Sequence, residues 1–167
     1  MSKPSKMPAW GWSTPAEDCI RGSKLAKVKN SICSICYARK GRYVFPNVQN
    51  ALKKRLNAWR TVKNWSNKIA ELIRRKQKSG NFRWDDSGDI QSVKHLSDIV
   101  AVANLLPQID FWLPTREYNF VGQYIKKFGS FPKNLCVRLS AIMINGKPPT
   151  ALAKKLGLTT SGVVEKG

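Results

Sequence analysis

The sequence predicts an α/β fold, a partial (β/α) barrel or small parallel sheet with a long basic N-terminal helical segment. Three observations predict it. Residues 81–145 alternate strand and helix patterns, and such short links impose parallel pairing with right-handed crossovers. Residues 46–78 repeat apolar side chains every three or four positions, the period of a helix. Charge is segregated: Arg21 to Arg83 holds 18 basic residues and one acid, Glu71, whereas residues 85–117 hold six of the ten acids. At 167 residues and 42% hydrophobic content, the chain has apolar surface for one core and is too short for two comfortable ones. One domain over 1–167 is expected, with a basic cysteine-containing helical part (1–80), a βαβαβ part (81–145) and a tail (146–167).

Along the chain, "STPAEDCI" opens like a helix. Ser13 or Thr14 can cap it, Pro15 suits its first position, and Glu17 stands three after Thr14 as in a capping box. Residues 23–31, "SKLAKVKNS", read as a basic loop or weak helix. From Pro46 the stripe is Val48, Leu52, Leu56, Trp59, Val62, Trp65, Ile69, Leu72 and Ile73, ending before Gly80. One such helix would span roughly 50 Å at its standard rise, more than a small domain's width, so a break is predicted near Lys63 to Ser66. The opposite face carries Lys53, Lys54, Arg60, Arg74 and Arg75, and is expected to lack acids at i,i+4, which favours polyanion contact over a merely solvated surface.

After Gly80, "NFRWDD" reads as a strand, "SGD" as a turn, and "IQSVKHLSDIVAVANLL" as a helix. "PQIDFWLPTRE" then reads as a turn and strand, "YNFVGQYIKKFG" as a helix and "KNLCVRLSAIM" as a strand. The tail holds Pro148, Pro149 and a short amphipathic piece from Thr150 to Leu156, without a closing element. It is expected to belong to a truncated or early-ending version of something longer.

Thirty Lys and Arg against ten Asp and Glu give a net charge of +20. A field of that size draws polyanions, so nucleic acid, DNA or RNA, is the expected partner. An anionic membrane is a weaker candidate. No apolar run reaches the roughly 18 residues of a spanning helix, and "MSKPSKMPAWGW" lacks a signal peptide's apolar core. A cytoplasmic location is expected.

Four cysteines stand at 19, 33, 36 and 136. In a reducing cytoplasm, close spacing such as Cys33-x-x-Cys36 points to metal or redox use. No thioredoxin-like βαβ context surrounds the pair, so a metal knuckle is favoured. It would anchor the cationic, aromatic stretch Tyr37, Arg39, Lys40, Arg42 and Tyr43 for contact with phosphates and bases. Four thiolates suit tetrahedral zinc or a cubane iron–sulfur cluster, and three suit a cluster with one open iron. Ordinary buried thiols are the alternative.

Parallel sheets place active groups at the C-terminal ends of their strands. That rule selects Asp85 to Asp89, Thr115 to Glu117, and Arg138 with Ser140. Asp86 or Asp89 would take a proton or a metal ion, while Arg116 and Arg138 would clamp an anion. The competing structural role has Asp85 and Asp89 capping the next helix and Arg116 pairing with Glu117 or an upstream Asp. Cys136, Arg138 and Ser140 alternate onto one strand face, which would put Cys136 on the side of this pocket. His95, the single histidine, excludes a His-rich metal site and reads as a helix residue, not a catalyst. The nucleotide motifs GxxxxGK[ST] and GxGxxG are absent.

These residues together resemble the phage-encoded gene product eighty-eight domain family. The resemblance rests on Cys33 to Ala38 followed by Gly41 and Tyr43, "FRWDDSGD" (Phe82 to Asp89), "FWLPTR" (Phe111 to Arg116) and "VRLSA" (Val137 to Ala141), and covers roughly residues 15–145. It implies a viral or mobile-element protein. Through distant similarity to reduced radical S-adenosylmethionine barrels, it also implies a partial barrel with an iron–sulfur cluster. The expected function is a nucleic-acid-binding metalloprotein with zinc or an iron–sulfur site on Cys19, Cys33, Cys36 and Cys136. The rivals are an enzyme acting on nucleotides or nucleic acid through Asp86, Asp89, Arg116 and Arg138, and a non-enzymatic effector that binds a host protein.

Overall fold

Two sets of side chains alternate along the central strands and give the sheet a covered and an open face. Phe82 and Trp84 of β2 (Asn81–Trp84), Phe111, Leu113 and Thr115 of β3 (Asp110–Thr115), and Leu135, Val137 and Leu139 of β4 (Leu135–Ser140) are buried. Between them Arg83, Trp112, Pro114 and Arg138 are partly buried and Cys136 is exposed, as the two-residue repeat of a strand requires. The structure, a computed structural model, describes residues 1–3 and 9–165. Among these residues five strands form one parallel sheet in chain order, β1 (Trp10–Trp12), β2, β3, β4 and β5 (Thr159–Ser161).

Adding parallel strands in one direction with right-handed crossovers keeps every connection on one side. The core shows which side. Ile69 and Ile73 of α3 (Trp65–Lys76), Leu96, Ile99 and Ala103 of α4 (Val93–Leu105), and Val121 and Tyr124 of α5 (Tyr118–Phe128) pack with the buried strand residues. The α/β class and strand-helix alternation are as the sequence predicts, and the wiring is that of a (β/α) barrel wall. The other α-helices among the described residues are α1 (Ile20–Leu25), α2 (Pro46–Thr61) and α6 (Thr150–Leu156). Among the described residues no helix is long and apolar enough to cross a membrane.

The predicted long helix does break. It divides into α2 and α3 at Val62 to Asn64, where Asn64 turns the chain at φ +56°, a conformation that asparagine tolerates better than most residues. Elsewhere the local signals are overridden. Ser13 and Thr14 do not cap a helix; both are buried, and the segment is a 3-10 turn over Ala16–Asp18 with no side-chain cap. Ser13 instead donates to the Asp86 carboxylate, and the Thr14 N–H donates to the Ser87 carbonyl at 3.0 Å. Asp85 and Asp89 do not cap α4 either, because Ser92 does so, its hydroxyl accepting from the His95 N–H at 3.1 Å.

The tail contradicts the expectation that it lacks a closing element. After α6, β5 pairs Thr159 with Arg138 and Ser161 with Ser140, so residues 159–161 finish the sheet. At the other edge β1 pairs with β2 through Trp10 to Trp12. Three-residue strands are too short to show a period, and both are created by the edges they join.

His95 is fully buried against Trp59 (ring centroids 4.3 Å apart) and Trp65 (6.2 Å), and its Nδ1 accepts from the Gln91 N–H at 3.2 Å. Burial lowers its pKa from 6.5 to about 4. The unfolded chain therefore takes up this proton first. The neutral ring's contribution is complete above pH 6.5 and is lost as pH falls toward 4, by roughly 3 kcal/mol. Urea midpoints at the two pH values test this: the acid loss in His95→Phe should be smaller than in wild type by about that amount. Equal losses would show that His95 does not drive it.

Candidate metal centre at the strand ends

The crossover from β1 to β2 carries three cysteines on three separate local turns. Cys19 joins the first 3-10 turn to α1, and Cys33 lies in the 3-10 turn Ile32–Ile35. Cys36 links that turn to the next, Tyr37–Arg39. The cysteine turn is well fixed. Buried Ser31 accepts from the Ser34 N–H at 3.0 Å and donates to the Leu25 carbonyl at 2.5 Å, and the Ile32 N–H donates to the Ile142 carbonyl beyond β4 at 2.9 Å.

Gly22 explains how the thiols approach. A Cβ placed there would stand 3.5 Å from Cys19 Sγ and 3.7 Å from Cys33 Sγ, so both sulfurs flank a position kept bare. All three cysteines line one cavity of about 250 Å³ at the C-terminal ends of the strands, together with Asp85, Asp89 and Arg116. Among the described residues no group of three or more His, Cys, Asp or Glu side chains is drawn together to hold a single metal ion. Burial, with the Asp89 and Asp85 charges, pushes the Cys19 thiol far up. Burial also raises Cys33, against the opposing pull of Arg116. Redox dithiols work through depressed thiols, and Cys33 is shifted the other way; a metal would have to displace its proton.

The three carboxylates of the "DDSGD" loop have different fates. Asp86 accepts from Ser13 and, at 2.6 Å, from the Tyr43 hydroxyl, while its carbonyl accepts from the Tyr37 hydroxyl. Asp89 is buried and accepts from Thr115 Oγ1 at 2.5 Å, the Ile90 N–H at 2.9 Å and the Arg116 N–H at 3.0 Å, which pins the end of β3. Asp85 has both carboxylate oxygens buried without a hydrogen-bond partner among the described residues, on a backbone at φ +51°. Burial, with Asp89 and Asp86 adding and Arg83 opposing, pushes its carboxyl well above the usual range. Sequence reasoning selected the cluster Asp85 to Asp89 but gave the chemical roles to Asp86 and Asp89, leaving Asp85 only a capping one. The available signal was its place directly after the strand.

The family model described as gene product 88 matches residues 1–165. The chain belongs to the gene product 88 family. The match extends past the motif-bearing residues 15–145 to take in both edge strands. No curated protein and no solved structure matches the chain.

In this gene product 88 protein the other predicted site residues are dispersed. Arg116 lines the thiol cavity and its Nε donates to the Ala141 carbonyl at 2.9 Å, so its side chain does not go to Glu117. Cys136 and Arg138 occupy the open sheet face, outside the cavity lining. Cys136 Sγ lies 3.7 Å from Thr159 Oγ1, and Arg138 donates to the same oxygen at 3.3 Å beside the Trp112 ring. Strand alternation does put Cys136 on the face of Ser140, but four residues earlier, about 13 Å along the strand.

The cationic residues divide similarly. Arg39 is committed to the scaffold, donating to the Ala16 carbonyl at 3.1 Å and to Ser23 Oγ at 2.7 Å. Tyr37 and Tyr43 meet edge-on, 5.7 Å apart, over Asp86. Lys40, Arg42, Lys53, Lys54, Arg60, Arg74 and Arg75 are exposed. One of them corrects an expectation: Arg75 pairs with Glu71 at i,i+4, so the basic face is not wholly without acid partners.

Proposed function

We propose that this gene product 88 protein is a phage-type metalloprotein that associates with nucleic acid. Cys19, Cys33 and Cys36 would hold the metal. One observation carries this reading: three thiols from three turns line a single cavity where a parallel sheet presents its active groups, two of them beside a glycine that leaves them room. The donor set fits a metal centre. A cavity of about 250 Å³ with three thiols in its lining has room for a multi-iron cluster, whereas zinc would require the sulfurs to converge to about 2.3 Å from one point. When bound, such a centre would cross-link the β1 to β2 crossover and, as an iron–sulfur cluster, supply a one-electron couple.

The net charge of +20 and the exposed cations of α2 and α3 support nucleic acid as the partner. A reducing cytoplasm, the host's if the protein is viral, fits four free thiols. The enzyme reading gains less, because Ser13, Tyr43, Thr115 and backbone N–H groups occupy the Asp86 and Asp89 carboxylates, and Arg138 lies on the open face.

Metal analysis and visible absorption of anaerobically purified protein test the centre. Wild type should carry iron and absorb visibly, or carry zinc and be colourless. Cys19→Ser, Cys33→Ser and Cys36→Ser should each lower metal retention by at least about tenfold, while Cys136→Ser keeps the wild-type content. A wild type that stays metal-free after reconstitution, or a Cys136→Ser loss equal to the others, defeats the reading.

A further inference from the structure

Of the three carboxylates in the loop after β2, only Asp85 has no hydrogen-bond partner among the described residues. The hydroxyls of Ser13, Tyr43 and Thr115 and the Arg116 N–H all serve its two neighbours instead. A buried carboxylate with no protein partner calls for an explanation, and a bound ion is one of those that fit. Asp85 is 6% exposed, which limits access to something the cavity itself holds. It lines the same cavity as Cys19, Cys33 and Cys36. Its backbone is also unusual: φ is +51°, immediately after β2, while its N–H donates to the Trp12 carbonyl at 2.8 Å. The sheet edge thus holds the residue in a turn that few side chains adopt readily.

We infer that the Asp85 carboxylate is the fourth ligand of the metal centre, an oxygen donor at the coordination position that Cys19, Cys33 and Cys36 leave open. The inference rests on the three-cysteine reading above. In a four-iron cluster Asp85 would bind the iron without a cysteine, whereas a single zinc would require all four donors to converge on one point. Asp86 and Asp89 then act as scaffold, one holding the Tyr37 and Tyr43 turn and the other the end of β3. Because the open position is filled from within the chain, the centre is closed and its weakest ligand is the oxygen.

The full chain reconstituted anaerobically with ferrous iron and sulfide, and separately with zinc, provides the test. Wild type, Asp85→Asn, Asp85→Cys and Cys136→Ser are compared for metal per chain, absorption and rate of metal loss to a chelator. Asp85→Asn should lose metal at least about tenfold faster, with altered absorption in the iron form. Asp85→Cys should restore retention, and Cys136→Ser should match wild type. The metal-free Asp85→Asn protein should melt no lower than metal-free wild type, because the amide suits the same backbone without a buried charge; a purely scaffolding Asp85 would lower the melt instead. Wild-type retention and absorption in Asp85→Asn overturn the inference while leaving the three-cysteine centre standing. A wild type that binds neither iron nor zinc overturns both.

Discussion

Binding of a short oligonucleotide is expected to weaken by about a thousandfold between roughly 50 and 200 mM monovalent salt. The size follows from counterion release: about six phosphate contacts give a log-log slope near −5 on duplex DNA. The exposed cations of α2 and α3, including Lys53, Lys54, Arg60 and Arg74, can supply them. Arg39 should contribute little, since its guanidinium is already bound to Ala16 and Ser23. Replacing Lys53, Lys54, Arg60 or Arg74 singly by Gln should lower the slope by about one each, and an Arg75 change should do less because Glu71 competes for it. Fluorescence anisotropy across a salt series measures this. A slope near zero would remove nucleic acid as the partner.

The second large effect is structural. Gly88→Ala should cost about 3 kcal/mol or more and loosen the metal cavity, because Gly88 has φ +87° and a Cβ there would collide with Thr14, 2.8 Å from its carbonyl oxygen and closer still to its hydroxyl. Retreat is blocked. The Thr14 N–H donates to the Ser87 carbonyl at 3.0 Å, and Ser87 Oγ donates to the Thr14 carbonyl at 2.9 Å, locking the two strand-end loops together. Gly80 provides the control, with φ +75° but nothing within 4 Å of an added Cβ, so Gly80→Ala should cost only the backbone term, about 1 kcal/mol. Urea unfolding of the two variants, with metal retention measured alongside, decides the matter. Equal destabilisation would mean that the Thr14 contact is not limiting.

Much of the frame was legible because periodicity is local. The stripe from Val48 to Ile73 is half-buried or buried apart from Leu72, and the alternation in Asp110 to Thr115 separates Phe111 and Leu113 from Trp112 and Pro114. Edge strands escaped because three residues carry no period. Capping signals misled at Ser13 and Thr14 because a hydroxyl that can cap a helix can equally donate to a distant carboxylate, here Asp86, 73 residues away.

By itself the sequence determined the α/β class, the helix break, the cationic surplus and the spacing of Cys33 and Cys36. It could not rank Asp85, Asp86 and Asp89, which share one loop and one chemistry, or separate Cys136 from the other thiols. Those distinctions belong to tertiary structure. Ser13, Tyr43, Thr115 and Arg116, brought from three other segments, occupy two carboxylates and leave the third bare. The strand gives Cys136 its face, but only the folded sheet fixes its distance from the cavity. Hydrogen bonds and cavities are made between segments distant in sequence, and no local pattern records which donor reaches which acceptor.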